Sequence, residues 1–220
     1  MSFNNIINME LGGLLETLYM VLASTAIGYA VGLPLGVILN ITDKNGIKPN
    51  PTVFSVLDFI VNIGRSIPFL ILMIMLMPIT RAIVGKSYGT TATIVPLTIS
   101  AIPFFGRMVD SSLKEVDHGV IEAAQSMGAS TLQIIIKVLI PESRTSLING
   151  ATIGLVNVVG YSAMAGAIGG GDLGDIAIRY GYYRWETAMM MITVVVIVVL
   201  IQIMQYFGSR IAASLDRRIR

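Results

Sequence analysis

The sequence contains no cysteine, a single histidine, a single tryptophan and only 13% charged residues in a length of 220. Without thiols it forms no disulfide, no thiolate metal site and no Cys-linked lipid anchor, and it is silent on redox compartment. Soluble domains carry roughly 25% charged residues, so a chain this poor in charge, with a mean hydropathy of +0.77, is too apolar to be one. A formal net charge of +2 makes no case for nucleic-acid binding. No G-x-x-x-x-G-K-[ST] phosphate loop occurs, so the chain does not hydrolyse ATP unaided. No Ser, His and Asp set, paired carboxylates or metal-ligand cluster is present, which leaves no catalytic and no metal residues to name. The N-terminal MSFNNIINMELGG lacks the basic region and small-residue cleavage site of a signal peptide, so the first apolar stretch is expected to be a retained membrane span.

What the chain does have is long apolar runs. A helix crosses the hydrocarbon core with about 20 mostly apolar residues. Residues 17–42, 87–106, 145–171 and 187–209 contain no Asp, Glu, Lys or Arg, and residues 59–80 contain only Arg65. The expected fold is all-α and integral to the membrane. It is a single domain over 1–220, with five transmembrane helices at about 17–42, 59–80, 87–106, 145–168 and 187–209. The longest connection, 107–144, joins spans three and four. With the N-terminus outside and the C-terminus inside, the inner segments hold Lys44, Lys48, Arg107, Lys114, Lys137, Arg144, Arg210, Arg217, Arg218 and Arg220. The outer segments then hold only Arg81, Lys86, Arg179 and Arg184. Lys and Arg gather in short cytoplasmic loops, so this N-out, C-in orientation is the expected one.

The spans carry much helix punctuation. Pro34 lies between Gly32 and Gly36, Pro68 follows Ser66, and Pro96 and Pro103 share one span. Each proline removes a backbone donor and is expected to bend its helix. The fourth span is rich in Gly150, Ala151, Gly154, Gly160, Ser162, Ala163, Ala165 and Gly166. Small residues permit close helix packing, and lining a transport pathway is an equal reading of them. Arg65 reads as an intramembrane charge with a function or a snorkelling role. Glu16 and Arg107 fall at span ends, where solvation is cheap. Trp185 with Tyr180, Tyr182 and Tyr183 reads as an interfacial aromatic belt. Gly169 to Gly171 read as an outer turn, and His118 receives no metal or proton-relay role.

Residues 107–144 do not read as a disordered linker. Asp117 caps a first short helix through Met127, with Gly128 as its stop. Ser130 and Gln133 form a capping box for a second, in which Leu132, Ile135, Ile136 and Leu139 make one apolar stripe. Pro141 is expected to break the pattern before the fourth span.

Within this hairpin Glu122, Ala123 and Ala124, then Gly128 after three residues, then Val138, Ile140 and Pro141, resemble the EAA loop of type I ABC importer permeases. The family pattern has Ile and Leu where Val138 and Ile140 stand, and both departures are conservative. Similarity to the methionine-import branch of that family extends over nearly the whole chain. It runs through ETLYMVLAST, GLPLGV, NIGRSIPFLILM, PITRAIVGKSYG, IVPLTISAIPF, GRMVD and GYSAMAGAIGGGDLGDIAIRYGY. The resemblance implies a non-catalytic subunit in the bacterial inner membrane that imports methionine, in both stereoisomers. It implies a cytoplasmic coupling-helix hairpin in which Glu122, Ala123, Ala124, Gly128 and Pro141 engage a separate ATPase. It further implies a homodimer, two ATPase copies that hold the ATP and Mg, no cofactor on this chain, surrounding membrane lipid and a periplasmic methionine-binding protein. By the same resemblance, Met164 lies at the outer constriction of the pathway, with Tyr161 and Ser162 beside it.

The alternatives are a related permease for another small amino acid, an ion-coupled secondary transporter and a membrane enzyme. Ion-coupled carriers usually show mid-span acids or paired broken helices in a repeat; neither is legible in this sequence.

Overall fold

The computed structural model describes residues 3–215, in which every regular element is helical. The order is α1 (Phe3–Thr42), α2 (Pro51–Ser66), α3 (Phe69–Met75), α4 (Met77–Val84), α5 (Thr90–Leu113), α6 (His118–Ser126) and α7 (Thr131–Ile134). A π turn (Ile135–Leu139) leads into α8 (Ile140–Ala165), and a 3-10 turn (Gly166–Ile168) follows it. Then come α9 (Leu173–Ile176), a second π turn (Ala177–Tyr182) and α10 (Thr187–Leu215). Arg217, Arg218 and Arg220 lie outside the described residues.

Four stretches are long and apolar enough to cross a membrane: Asn5–Thr42, Thr90–Leu113, Thr131–Ile168 and Thr187–Leu215. The expected span 59–80 is not one helix. It is interrupted at Ile67 and Pro68, so α2 and α3 together make a fifth span only if a broken pair counts as one. Proline explains the break: it cannot donate, and it drives the preceding residue out of the helical region. Pro34, Pro96 and Pro103, by contrast, sit inside α1 and α5 without interrupting them. Each costs one backbone bond, which tertiary packing tolerates in membrane helices. Helix α1 also starts well before residue 17 and, at 40 residues, is roughly 60 Å long, about twice the hydrocarbon thickness. Arg65, expected one or two turns inside a span, is exposed in the last turn of α2. There it opposes the partial negative charge of the helix C-terminus.

By internal contacts the chain divides into two compact units. The first comprises Met1–Gly28, Ile67–Ala101 and Leu155–Gln205. Its core gathers Leu173, Ile176, Met189 and Leu200, covered by Met9, Leu14, Leu18 and Val196. Polar bonds fix the packing: the Leu173 backbone N–H donates to the Thr17 hydroxyl at 3.1 Å, and the Thr193 hydroxyl donates to buried Glu10 at 2.5 Å.

The second unit comprises Tyr29–Ser66, Ile102–Gly154 and Tyr206–Arg220. Phe105 on α5 is fully buried and meets Tyr29 edge-on at 5.3 Å. A side chain at Gly154 would overlap the Phe105 ring, and one at Gly36 would stand 2.5 Å from the Gly106 carbonyl oxygen. These glycines therefore serve helix approach, which settles the packing reading at that end of the fourth span. A second cluster joins Val37, Val109, Leu113, Ala124, Ile134, Leu139 and Leu147.

Candidate functional site

The hairpin is built by its caps. The Asp117 side chain accepts from the Gly119 backbone N–H at 2.7 Å and starts α6. Gly128 ends that helix at φ 77°, a left-handed conformation that favours glycine. Ser130 and Gln133 complete a reciprocal capping box for α7. From there the backbone does not stop at Pro141. Residues Thr131–Ile168 run as one helix, with the π turn immediately before the proline. The Ile140 backbone N–H bonds the Ile135 carbonyl, five residues back, and the Ser143 hydroxyl donates to the Leu139 carbonyl at 2.6 Å. The wider turn and the hydroxyl accommodate a residue that lacks an N–H and crowds the preceding turn.

That turn also shifts the apolar face. The expected stripe of Leu132, Ile135, Ile136 and Leu139 is divided: Leu139 is fully buried, whereas Leu132 and Ile136 are more than half exposed. Ile134 is the buried partner of Leu139, five residues away, a spacing that matches a π turn rather than an α turn. Within α6, Glu122 and Ala123 face outward, while Ala124 is buried in the chain's own core. Ala124 is thus a support for the hairpin and not part of its outer surface. Gly128 and Pro141 are exposed, and Met127 at the tip is 81% exposed.

Beside the hairpin, charged groups are linked in series. Arg107 pairs with Asp58, donates to Asn62 at 3.0 Å and pairs with Asp110 at 3.3 Å. Lys114 pairs with Asp110 at 3.1 Å and with Asp43 at 2.9 Å. The Lys114 ammonium holds the Asp43 carboxyl below its ordinary pKa, against partial burial. For Lys114 itself burial works downward, but the two carboxylates more than offset it and the net direction is up. Arg107, expected to be a solvated span end, is instead the hub of this network.

In the first unit, the segment after Leu155 carries Tyr161, Ser162 and Met164. Met164 is half exposed and, with Leu70, Gly160, Ala163, Ala167 and Ile178, lines a shallow apolar depression. Tyr161 stacks on Phe69 with ring centroids 4.8 Å apart and planes nearly parallel. Ser162 does not join them. It is buried and donates to the Val159 carbonyl at 3.0 Å, on the inward face of the helix.

Next to this segment, Asp172 caps α9 by accepting from the Asp175 backbone N–H at 3.0 Å. It is fully buried, its Oδ2 has no partner among the described residues, and burial pushes its pKa up to about 6. Its folded pKa exceeds the unfolded value of about 3.9, so its contribution is fully present below pH ~4 and is lost as pH rises through ~6. Asn caps as well as Asp. Asp172→Asn is therefore expected to stabilise by about 1–3 kcal/mol at pH 8 and by little at pH 4. Thermal unfolding at the two pH values checks this; an equal shift at both would refute it.

Residues 32–220 match the sequence model of the binding-protein-dependent transport system inner membrane component family. The chain belongs to that family. The probable D-methionine transport system permease protein MetI of Vibrio cholerae is 54% identical over 203 residues, which cover 92% of this chain and 90% of that one. The D-methionine transport system permease protein MetI of Escherichia coli K12 is 49% identical over 154 residues, 70% of this chain and 71% of the relative. A chain from inward-facing structures of the MetNI methionine ABC transporter superposes with a TM-score of 0.96 at 44% identity, covering 99% of this chain and all of that one. An amino acid ABC transporter crystallised with histidines superposes at 0.72 with 19% identity, which establishes shared fold alone.

As a member of this inner-membrane transport family the chain is a permease, and no group of three or more His, Cys, Asp or Glu that could hold a metal occurs among its described residues. Sequence reasoning missed the charge network, although Arg107, Asp110 and Lys114 stand at helical spacing. It also missed the outward-facing Met127, Leu132 and Ile136.

Proposed function

We propose that this chain is the permease subunit of an ATP-driven methionine importer, taking both stereoisomers. The observation that carries the reading is the superposition, along 99% of the chain, on a subunit of a methionine ABC transporter. The subunit itself performs no catalysis. Two separate cytoplasmic ATPases bind ATP and Mg, two copies of this chain enclose the path, and a periplasmic methionine-binding protein delivers the substrate. The orientation is N-out, C-in, with α2 and α3 as a broken fifth span. That places Lys44, Lys48, Lys137 and Arg144 on the cytoplasmic side, as the distribution of Lys and Arg in short loops favours.

Glu122, Ala123, Met127 and Gly128 are the surface offered to the ATPase, with Ala124 holding α6 in place from within. Pro141 marks the π turn through which the second arm of the hairpin continues, without a loop, into the helix that bears Met164. Met164 gates the path on its outer side, backed by Tyr161. ATP-driven closure of the ATPases draws the hairpins of the two copies together and opens the path outward; hydrolysis returns it inward.

Reconstitution with a methionine-type ATPase and binding protein tests the assignment. Uptake should require ATP and be indifferent to an ionophore. Uptake that proceeds without ATP, or that an ionophore abolishes, would point to an ion-coupled carrier instead.

A further inference from the structure

Asn157 stands near the middle of the apolar segment 145–168, far along the helix from the nearest charged residue on either side. A short side chain at that place cannot snorkel to the headgroups, and an amide turned to hydrocarbon is strongly disfavoured. Its own helix offers little relief. The residues three and four positions away are Ile153, Gly154, Gly160 and Tyr161, and the Tyr161 ring is engaged in its stack with Phe69. Asn157 is nevertheless not fully buried within the chain.

Its direction follows from helix geometry. Residues seven apart fall within about 20° of each other around an α-helix and roughly 10 Å apart along it. Asn157 therefore shares a line with Met164, and Gly160 lies between them on the same face. A methyl group built on Gly160 would meet nothing within 4 Å. Packing inside this chain does not demand a glycine there, in contrast to Gly154, where a side chain would overlap Phe105. The face thus offers a polar group, then open space, then an exposed thioether beside a shallow apolar depression.

We propose that Asn157 contacts the substrate on the transport path, its amide serving both charged ends of a zwitterionic amino acid while the open space at Gly160 and the Met164 thioether receive the apolar side chain. A primary amide suits this role because its carbonyl accepts from an ammonium while its NH2 donates to a carboxylate. A thioether is a soft, adaptable contact for an apolar side chain. The inference rests on the importer reading above and deepens it by naming a contact within the membrane.

The absence of cysteine makes the test direct. The Asn157→Cys variant introduces the chain's only thiol, and Val195→Cys, at an exposed apolar position of α10, is the lipid-facing control. In proteoliposomes holding the complete transporter, a water-soluble maleimide should modify the Asn157→Cys variant at least about ten-fold faster than the control. Equal rates overturn the proposal. So does oxidative cross-linking of two copies through this thiol with the maleimide excluded, which would place the residue in an interface between copies.

A second measurement separates contact from folding. Loss of hydrogen bonds worth about a factor of ten predicts that Asn157→Leu lowers methionine imported per ATP hydrolysed roughly ten-fold, with Asn157→Gln recovering most of it. If uptake and hydrolysis fall together, leaving the ratio unchanged, the residue is structural and the proposal is wrong. Should the unmodified complex import no methionine at all, the importer assignment fails, and that outcome is distinct from either of these.

Discussion

Met127→Asp is expected to abolish ATP-driven uptake while leaving the permease folded and inserted. Met127 closes α6 with its backbone, whose N–H bonds the Ala123 carbonyl at 3.1 Å, and its side chain is 81% exposed. Substitutions at such exposed positions usually change stability by less than about 0.5 kcal/mol. Leu132 and Ile136 on the same well-capped hairpin are exposed as well, and several exposed apolar side chains on one element are the pattern of a surface meant to be covered. Placing a carboxylate in the covered centre of an interface costs at least about 2–4 kcal/mol, or roughly 30- to 1,000-fold in affinity. Glu122→Lys, a charge reversal one turn away on the exposed side of the same helix, should act in the same direction. Co-purification of the ATPase and methionine uptake, measured separately, decide the matter. Loss of both with normal membrane insertion is the expected result; normal assembly and transport would remove the hairpin from its assigned role.

The hairpin's ends were legible because capping is local: Asp117, Gly128, Ser130 and Gln133 act on backbone groups two to five residues away. Its buried face was not, because the period changes from α to π just before Pro141, and a stripe drawn at i, i+3, i+4 and i+7 then selects Leu132 and Ile136 instead of Ile134. The membrane spans were legible as uncharged runs, and the interruption of the second follows from Pro68. The start of α1 escaped the same rule because Glu10 and Glu16 end the uncharged run. Glu10 is nonetheless buried inside that helix, where the Thr193 hydroxyl satisfies one of its oxygens. In the fourth span, composition could not say which small residues pack and which face open space. Gly154 and Gly160 look alike in sequence, and only the position of Phe105 separates them. Ser162 and Met164, two residues apart, fall on different faces of one helix because each residue turns about 100°.

The charge network was the least legible feature, since Asp43 and Asp58 reach Lys114 and Arg107 across long stretches of chain, and it carries a large expected effect on stability. Arg107→Met should destabilise the folded permease by about 3 kcal/mol, because removing one partner of a buried pair leaves the other charge only partly compensated. The stranded group is Asp110. Its side chain is 2% exposed and its Oδ1 already lacks a partner, so only the 3.1 Å contact with Lys114 would remain. Asp58, 30% exposed, can turn toward solvent and adds less. Thermal unfolding at a fixed scan rate should fall by roughly 6–12 °C for a chain of this size. The double substitution Arg107→Met with Asp110→Leu should recover much of that loss, since exchanging a buried pair for apolar groups of similar volume is often close to neutral. Lys114 then keeps its 2.9 Å pairing with Asp43 and is not itself left stranded. A double variant that is less stable than Arg107→Met alone would mean that Asp110 matters through something other than its pairing with Arg107.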